Sequence, residues 1–342
     1  MAGKSGKTTI HDIAHELGLN ASTVSRALAN NPVVSQKTRK LVRAKATELN
    51  YQPNRIAAAL RRGRSNILGV IVPAIDRAFF ASVIRGIEEK ADEQGFHIIV
   101  CQSYDSSERE QTMIDTLLRL QVDGILISVA KDGKTDKAYY RQLISGGVPI
   151  QFFDTIPEGL EVPAVVIDDE QGGFDATTHL INSGYRRIAH LRGPQHLHIY
   201  RDRYRGYLRA LAEAGILVND NWVVDIDSHF DTSPEVFNTL MALASPPNAI
   251  FSASDYSASV GIRSALKLGL RIPEDLAFMG FSNEPFTEIM TPQLSSVDQQ
   301  TLEMGRRSAE RLLAALRNDG SQPEATSKLV LTPRIIVRAS SQ

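Results

Sequence analysis

Apolar residues recur with two different periods along this chain, and the change between them near residue 65 divides it. In Thr9-Ile10-His11-Asp12-Ile13-Ala14-His15-Glu16-Leu17 the apolar positions 10, 13, 14 and 17 fall on one face of a helix. Gly18-Leu19-Asn20 supplies a break, and residues 21–29 predict a second short helix with Val24 and Leu28 facing inward. Ser35 is placed to cap a third helix, carried by Leu41, Val42 and Leu49, which closes a small core. The tract from Pro53 to Arg62 is alanine-rich but too short to be a stable helix alone, so it is expected to fold only on a partner.

Beyond Arg64 short apolar runs alternate with helical stretches, the signal of a parallel sheet covered by helices. Strands are expected over 67–72, 96–101, 124–129 and 148–153, with helices over 80–94, 108–121 and 136–145 between them. A second set follows Pro157-Glu158-Gly159, with strands at 164–167, 187–191, 222–225, 249–253 and 276–281 and helices at 172–183, 203–214, 233–244 and 257–268. The last stretch offers strands at 294–297, 328–331 and 335–337 and a helix over 300–317. The expected fold is therefore an all-α headpiece (1–52), a linker (53–64) and a two-lobed α/β body with parallel sheets (65–342). Lobe 1 is expected to comprise about 65–157 and 294–320, and lobe 2 about 158–290 and 321–338, with the closing stretch crossing between them. Loops at the carboxyl ends of parallel strands form ligand-binding crevices, so the cleft between the lobes is where a ligand belongs.

Charge sharpens this division. Residues 1–64 carry 12 Lys+Arg against 3 Asp+Glu, whereas the other 278 residues carry 26 against 36, and the formal net charge of −1 conceals the split. A basic block coinciding with two short helices joined by a glycine-containing turn is the footprint of a helix-turn-helix nucleic-acid reader. Its second helix suits the major groove, with Ala21, Ser22 and Arg26 toward base edges: a methyl for thymine, a hydroxyl for several bases and a guanidinium for guanine. Arg26 as a base reader stands beside Arg26 as a phosphate contact. Thr9, Thr23, Ser25, Ser35 and Thr38 suit phosphate contacts or helix caps.

Other chemistries find little support. Gly3-Lys4-Ser5-Gly6-Lys7-Thr8 lacks the first glycine and the preceding strand of a phosphate loop. No G-x-S-x-G, H-E-x-x-H or G-x-G-x-x-G pattern and no Cys/His metal spacing appears, so neither catalysis nor a cofactor is expected. Asp168 and Asp169 are adjacent and would not flank one bond. With no signal segment, no long apolar run and the single Cys101, expected in a strand, the chain suits the cytoplasm.

Thr9-Ile10-His11-Asp12-Ile13-Ala14, Thr23-Val24-Ser25-Arg26, Val34-Ser35 with Thr38-Arg39, and Leu49-Asn50-Tyr51-Gln52-Pro53-Asn54 resemble, in order and spacing, the headpiece of the lactose/galactose repressor (LacI/GalR) family. The resemblance extends over essentially the whole chain. It implies a periplasmic-binding-protein-like body and a homodimer on a pseudo-palindromic operator, with no membrane association. It also implies a small effector, a sugar or sugar derivative, between the lobes. Asn54 joins the DNA-binding set, and residues 53–62 match the family's hinge helix, with Leu60 as the residue that wedges into the minor groove; a plain linker is the alternative. Asp154, Arg203, Ser254 and Ser282 match effector-pocket positions, and Asp255 follows Ser254. Ser254 stands where asparagine is usual and Ser282 where aspartate is usual, which implies an effector other than a hexose bound in the usual way. Ile75 and Phe80, with Phe79 beside it, belong to a loop that covers the sugar in relatives, although core packing suits the rings equally. His196 and His198 with Arg201 and Arg203 before a helix near Tyr204 form a cationic loop, which hints at an acidic ligand or is simply surface charge. A sugar-binding transport protein on the same body is the competing reading; it needs export and no headpiece.

Overall fold

In the computed structural model, which describes residues 8–51, 64–226, 234–317 and 327–342, the chain separates at Ser65 into two compact units. The first contains α1 (Ile10–Leu17), α2 (Ala21–Leu28) and α3 (Gln36–Glu48). Thr9 begins α1 with a reciprocal cap: its hydroxyl accepts from the Asp12 amide, and the Asp12 carboxylate accepts from the Thr9 amide at 2.8 Å. Gly18, at φ +61°, ends the helix in the left-handed conformation that glycine adopts without strain. Ser35 caps α3 by accepting from the Thr38 amide at 3.2 Å. Ile13, Ala14, Val24, Ala27, Val34, Val42 and Ala46 form the core, with Ile10, Leu17, Leu28 and Leu49 packed against it. Leu41 departs from expectation and is 53% exposed. On α3 the inward face is set by Val42 and Ala46, four residues apart, which turns position 41 toward solvent.

The second unit has two six-stranded sheets. The first is built from β1 (Ile67–Val72), β2 (His97–Gln102), β3 (Gly124–Ile127), β4 (Ile150–Phe153), β5 (Ala164–Ile167) and β11 (Lys328–Leu331), in the all-parallel order β11-β5-β4-β3-β1-β2. The second contains β6 (Ile188–Arg192), β7 (Val223–Asp225), β8 (Ala249–Ser252), β9 (Ala277–Ser282), β10 (Ser295–Asp298) and β12 (Arg334–Ile336), ordered β12-β10-β9-β8-β6-β7. Among the described residues of this sheet, only β12 is antiparallel to its neighbour.

This arrangement corrects the expected lobe boundaries. The segment 164–167 belongs to lobe 1, because it pairs with β4 through Phe152↔Ala164 and Phe153↔Val165; the Pro157-Glu158-Gly159 turn lies within the lobe. The segment 294–297 belongs to lobe 2 beside β9, and 328–331 belongs to lobe 1 beside β5. Strands of four residues suit either sheet, and only the pairing decides. The chain consequently crosses between lobes three times: after β5, between β10 and the following helix, and between β11 and β12.

Each sheet is covered on both faces. In lobe 1, α4 (Ala78–Asp92) and α12 (Thr301–Arg317) bury one face, and α5 (Ser107–Arg119) and α6 (Lys137–Ser145) the other. In lobe 2, α7 (Asp169–Asn182) and α8 (His198–Glu213) cover one face, and α9 (Pro234–Met241) and α10 (Asp255–Lys267) the other; the short α11 (Phe286–Ile289) follows β9. Cys101 on β2 is half-buried, and burial pushes its thiol pKa up.

Both lobes bring one helix pair into backbone contact through glycines. A Cβ at Gly173 of α7 would lie 2.2 Å from the Arg203 carbonyl oxygen, and one at Gly206 of α8 would lie 2.1 Å from that of Glu170. In lobe 1, Gly86 and Gly305 stand in the same relation, 2.2 Å from the Leu302 carbonyl and 2.1 Å from that of Val83. The obstructing atoms are backbone and cannot rotate away. Gly206→Ala is expected to force α8 from α7 and lower the stability of the body by about 1–3 kcal/mol, read as a lower denaturant midpoint; an unchanged midpoint would show that the helices separate freely.

Candidate functional site

On α2 the residues expected to read DNA divide by exposure. Ser22 and Arg26, one helical turn apart, are exposed on the face opposite buried Val24 and Ala27; Ala21, Thr23 and Ser25 are half-buried beside them. The helix has no acidic side chain in its first turn, and Asn20 at its N-cap makes no side-chain cap, so its amino end keeps a positive potential. Thr9 and Ser35 are engaged as caps, and the Thr38 hydroxyl lies 2.8 Å from that of Ser35. Arg39 and Arg43 both reach Asn30, Arg39 through its carbonyl at 3.4 Å. Asn54 and Leu60 lie outside the described residues.

The body forms a pocket between its lobes, at the carboxyl ends of the strands. Lobe 1 contributes Phe79 and Phe80 from α4, Lys131 from the loop after β3, and Asp154 from the end of β4. Lobe 2 contributes Tyr200 and Arg203 from α8, Ser254 and Asp255 from the start of α10, Ser282 at the end of β9 and Glu284 just after it. Of the residues anticipated from sequence, Phe80, Asp154, Arg203, Ser254, Asp255 and Ser282 meet here. Ile75 does not: it is 53% exposed and is not among the lining residues.

Arg203 sits inside α8, because this helix begins at His198 rather than near Tyr204. It is 4% exposed and commits three of its donors: Nε to Asp169 Oδ1 at 2.8 Å, one Nη to the Ala253 carbonyl at 2.9 Å and the other to Gln299 Oε1 at 3.3 Å. Its guanidinium lies 3.7 Å from the centroid of the Phe281 ring. Gln299 in turn donates to the Ser282 hydroxyl at 3.0 Å. Asp169 follows the first interlobe crossing and Gln299 lies on the second. One side chain thus ties the pocket wall to two of the three crossings.

The cationic loop expected after β6 is neutralised in the fold. Arg203 pairs with Asp169, Arg201 with Glu158 at 2.5 Å and Arg192 with Asp225 at 2.6 Å. On the opposite wall Lys131 lies 3.5 Å from Asp154 Oδ2, which also accepts from the Ser128 and Thr155 hydroxyls. Asp154 adopts φ +57°, and Ser282 and Asn283 also have positive φ, so strained backbone clusters at the pocket. Asp255 is spent on the fold, accepting from the Ser296 hydroxyl at 2.6 Å and the Glu284 amide at 2.8 Å.

Sequence reading passed over Arg77, Lys131, Tyr200, Glu284 and Gln299. Lys131 carried a signal, since it lies two residues past a strand end expected at the cleft. Tyr200 was hidden by the late helix start, and Gln299 by the strand's assignment to the wrong lobe.

Burial pushes the pKa of Asp169 up to about 6 against the pull of Arg203, and that of Asp255 to about 6. It raises Glu284 and Glu110 to about 7. Between the ordinary carboxylate range and these values the folded chain holds protons that the unfolded chain has released, so folding weakens as pH rises through that window. Asp275, held at about 2 by Arg271, acts oppositely, but only in more acidic solution. Burial also lowers the pKa of His179, His190 and His198, so these imidazoles oppose the carboxyls between pH 8 and 6. Glu110→Gln is therefore expected to reduce whatever gain in thermal midpoint the native chain shows between pH 8 and 6; an unchanged pH dependence would contradict the burial of Glu110.

Comparison with known proteins agrees with this geometry. Residues 9–54 match the model of bacterial regulatory proteins of the lacI family, and residues 177–341 a periplasmic binding protein-like domain. The chain is 34% identical to catabolite control protein A of Priestia megaterium over 98% of this chain and 99% of that protein. It is 32% identical to the HTH-type transcriptional regulator DegA of Bacillus subtilis over 98% of both chains. The structure of the transcriptional regulator CelR in complex with cellobiose superposes with a TM-score of 0.72 at 29% identity, covering 98% of this chain and 100% of that one. Among the described residues no helix is long and apolar enough to cross a membrane. With a helix-turn-helix unit and a two-lobed ligand-binding body in the order these relatives share, the chain belongs to the LacI family of bacterial regulatory proteins and is a DNA-binding transcriptional regulator.

Proposed function

We propose that the protein is a ligand-responsive repressor of carbohydrate-metabolism genes and not an enzyme. It binds a pseudo-palindromic operator as a homodimer, with α2 of each headpiece in a major groove, and takes a small polyhydroxylated effector between the lobes. The observation that carries the ligand response is the placement of Arg203. A ligand that engages this guanidinium acts on a group already bonded to Asp169 and Gln299, which sit on interlobe crossings. Closing the lobes then moves the strands that join them, a hinge response in which ligand and operator alter each other's affinity by the same factor.

The roles assigned to Ala21, Ser22, Arg26, Thr23, Ser25, Asn54 and Leu60 on DNA, and to Phe80, Asp154, Ser254 and Ser282 on the effector, are part of this proposal. The test is operator selection from random duplexes, followed by binding at fixed salt with and without candidate sugars. Arg26→Ala is expected to cost about 1–3 kcal/mol of operator affinity and to relax preference at one base pair in each half-site. A uniform loss with preference intact would make Arg26 a phosphate contact.

A further inference from the structure

Pairing the pocket's cations with carboxylates leaves, among the described residues, Asp255 and Glu284 without a counter-charge of their own. Among the described residues three cations line it, and each already faces a carboxylate: Arg203 faces Asp169 at 2.8 Å, Lys131 faces Asp154 at 3.5 Å, and Arg77 faces Asp105 at 3.9 Å. Asp255 is satisfied by the Ser296 hydroxyl and the Glu284 amide. Glu284 lines the same pocket and is 8% exposed, and among the described residues its carboxyl has no hydrogen-bond or ion-pair partner. Its backbone is fixed from both sides, since its amide donates to Asp255 Oδ2 and its carbonyl accepts from the Thr287 hydroxyl at 2.7 Å. The side chain is thus held at the pocket wall by a loop that gives it no partner. Its carboxyl oxygens are not closed off in the core, so the donors they need come from whatever fills the pocket.

Resting on the assignment of this pocket to the effector, we propose that Glu284 determines the class of effector: a sugar that presents a hydroxyl or ammonium donor to this carboxyl, neutral or cationic, with sugar acids and sugar phosphates rejected. An anionic ligand would meet lining cations that each already face a carboxylate and would add a negative charge beside Glu284 and Asp255. Asp255 and Arg77 are the charged groups facing Glu284, and burial beside Asp255 already favours its protonated form. A ligand ammonium or a pair of hydroxyls reverses that preference by supplying the missing donors.

The test uses the full chain in titration calorimetry at one pH and salt. The probes are matched series of aldohexoses in gluco, galacto and manno configuration, each as neutral sugar, 2-amino sugar and uronate. The expected result is a neutral or amino member that binds at least about tenfold more tightly than the uronate of its own series. In Glu284→Gln, which keeps the shape and removes the charge, that ratio should narrow while the thermal midpoint does not fall. A uronate that binds as well as its neutral counterpart overturns the proposal, as does the absence of binding by every member at millimolar concentration. An unchanged ratio in Glu284→Gln removes Glu284 as its source. If Asp154→Asn also leaves the binding of a hit unchanged, the pocket assignment itself fails, which separates the two conclusions.

Discussion

Arg203→Ala is expected to abolish the response of operator binding to effector and to destabilise the body by about 3–5 kcal/mol, the cost of leaving one member of a buried ion pair uncompensated. Asp169 is 6% exposed and has no other described hydrogen-bond partner for its carboxylate. The loss should depend on pH. Without the guanidinium, burial and the nearby charges of Asp154 and Asp202 act unopposed on Asp169 and raise its pKa further, so the deficit is largest at pH 8 and shrinks at pH 5, where the carboxyl is protonated and neutral. Denaturant titrations at both values measure this. Arg203→Met combined with Asp169→Leu removes both charges and should recover most of the stability, yet not the ligand response. If the double variant is as unstable as the single one, packing against Phe281 outweighs the pair, and the electrostatic account is wrong. Operator affinity without ligand, measured where the body remains folded, should stay near native in both.

Ile13→Ala is expected to unfold the headpiece while sparing the body. Ile13 is completely buried at the centre of a core of seven side chains, and truncating such an isoleucine costs about 2–5 kcal/mol. A unit ending at Ser65 has little reserve, since below about 70–80 residues a single core rarely supplies more than about 3–5 kcal/mol. The helical signal of the headpiece should be lost and operator binding with it, whereas effector binding should be retained. A variant that keeps native operator affinity and headpiece melting would show that the three helices are held by something other than this core. Leu41→Ala offers the contrast, because its side chain is exposed and its loss should change headpiece stability little.

The sequence by itself determined what is local. The helix period at Ile10, Ile13, Ala14 and Leu17, the glycine that ends α1, the Ser35 cap and the order of strands and helices in the body are set by neighbours within a few residues. Asp154, Ser254 and Ser282 could be placed at a cleft because strand ends can be located from the pattern. What only the tertiary structure decided is which sheet each four-residue strand enters, since Ala164–Ile167 and Ser295–Asp298 each suit either lobe until a partner strand is present. It also decided which charges are free. Arg203 meets Asp169 across 34 positions and Gln299 across 96, so a stretch that reads as cationic is neutral in the fold. Glu284, unremarked in the sequence, is a carboxyl left over. Periodicity is carried by the chain's nearest neighbours, whereas desolvation and charge pairing depend on groups brought together from distant positions, and no short window of sequence contains them.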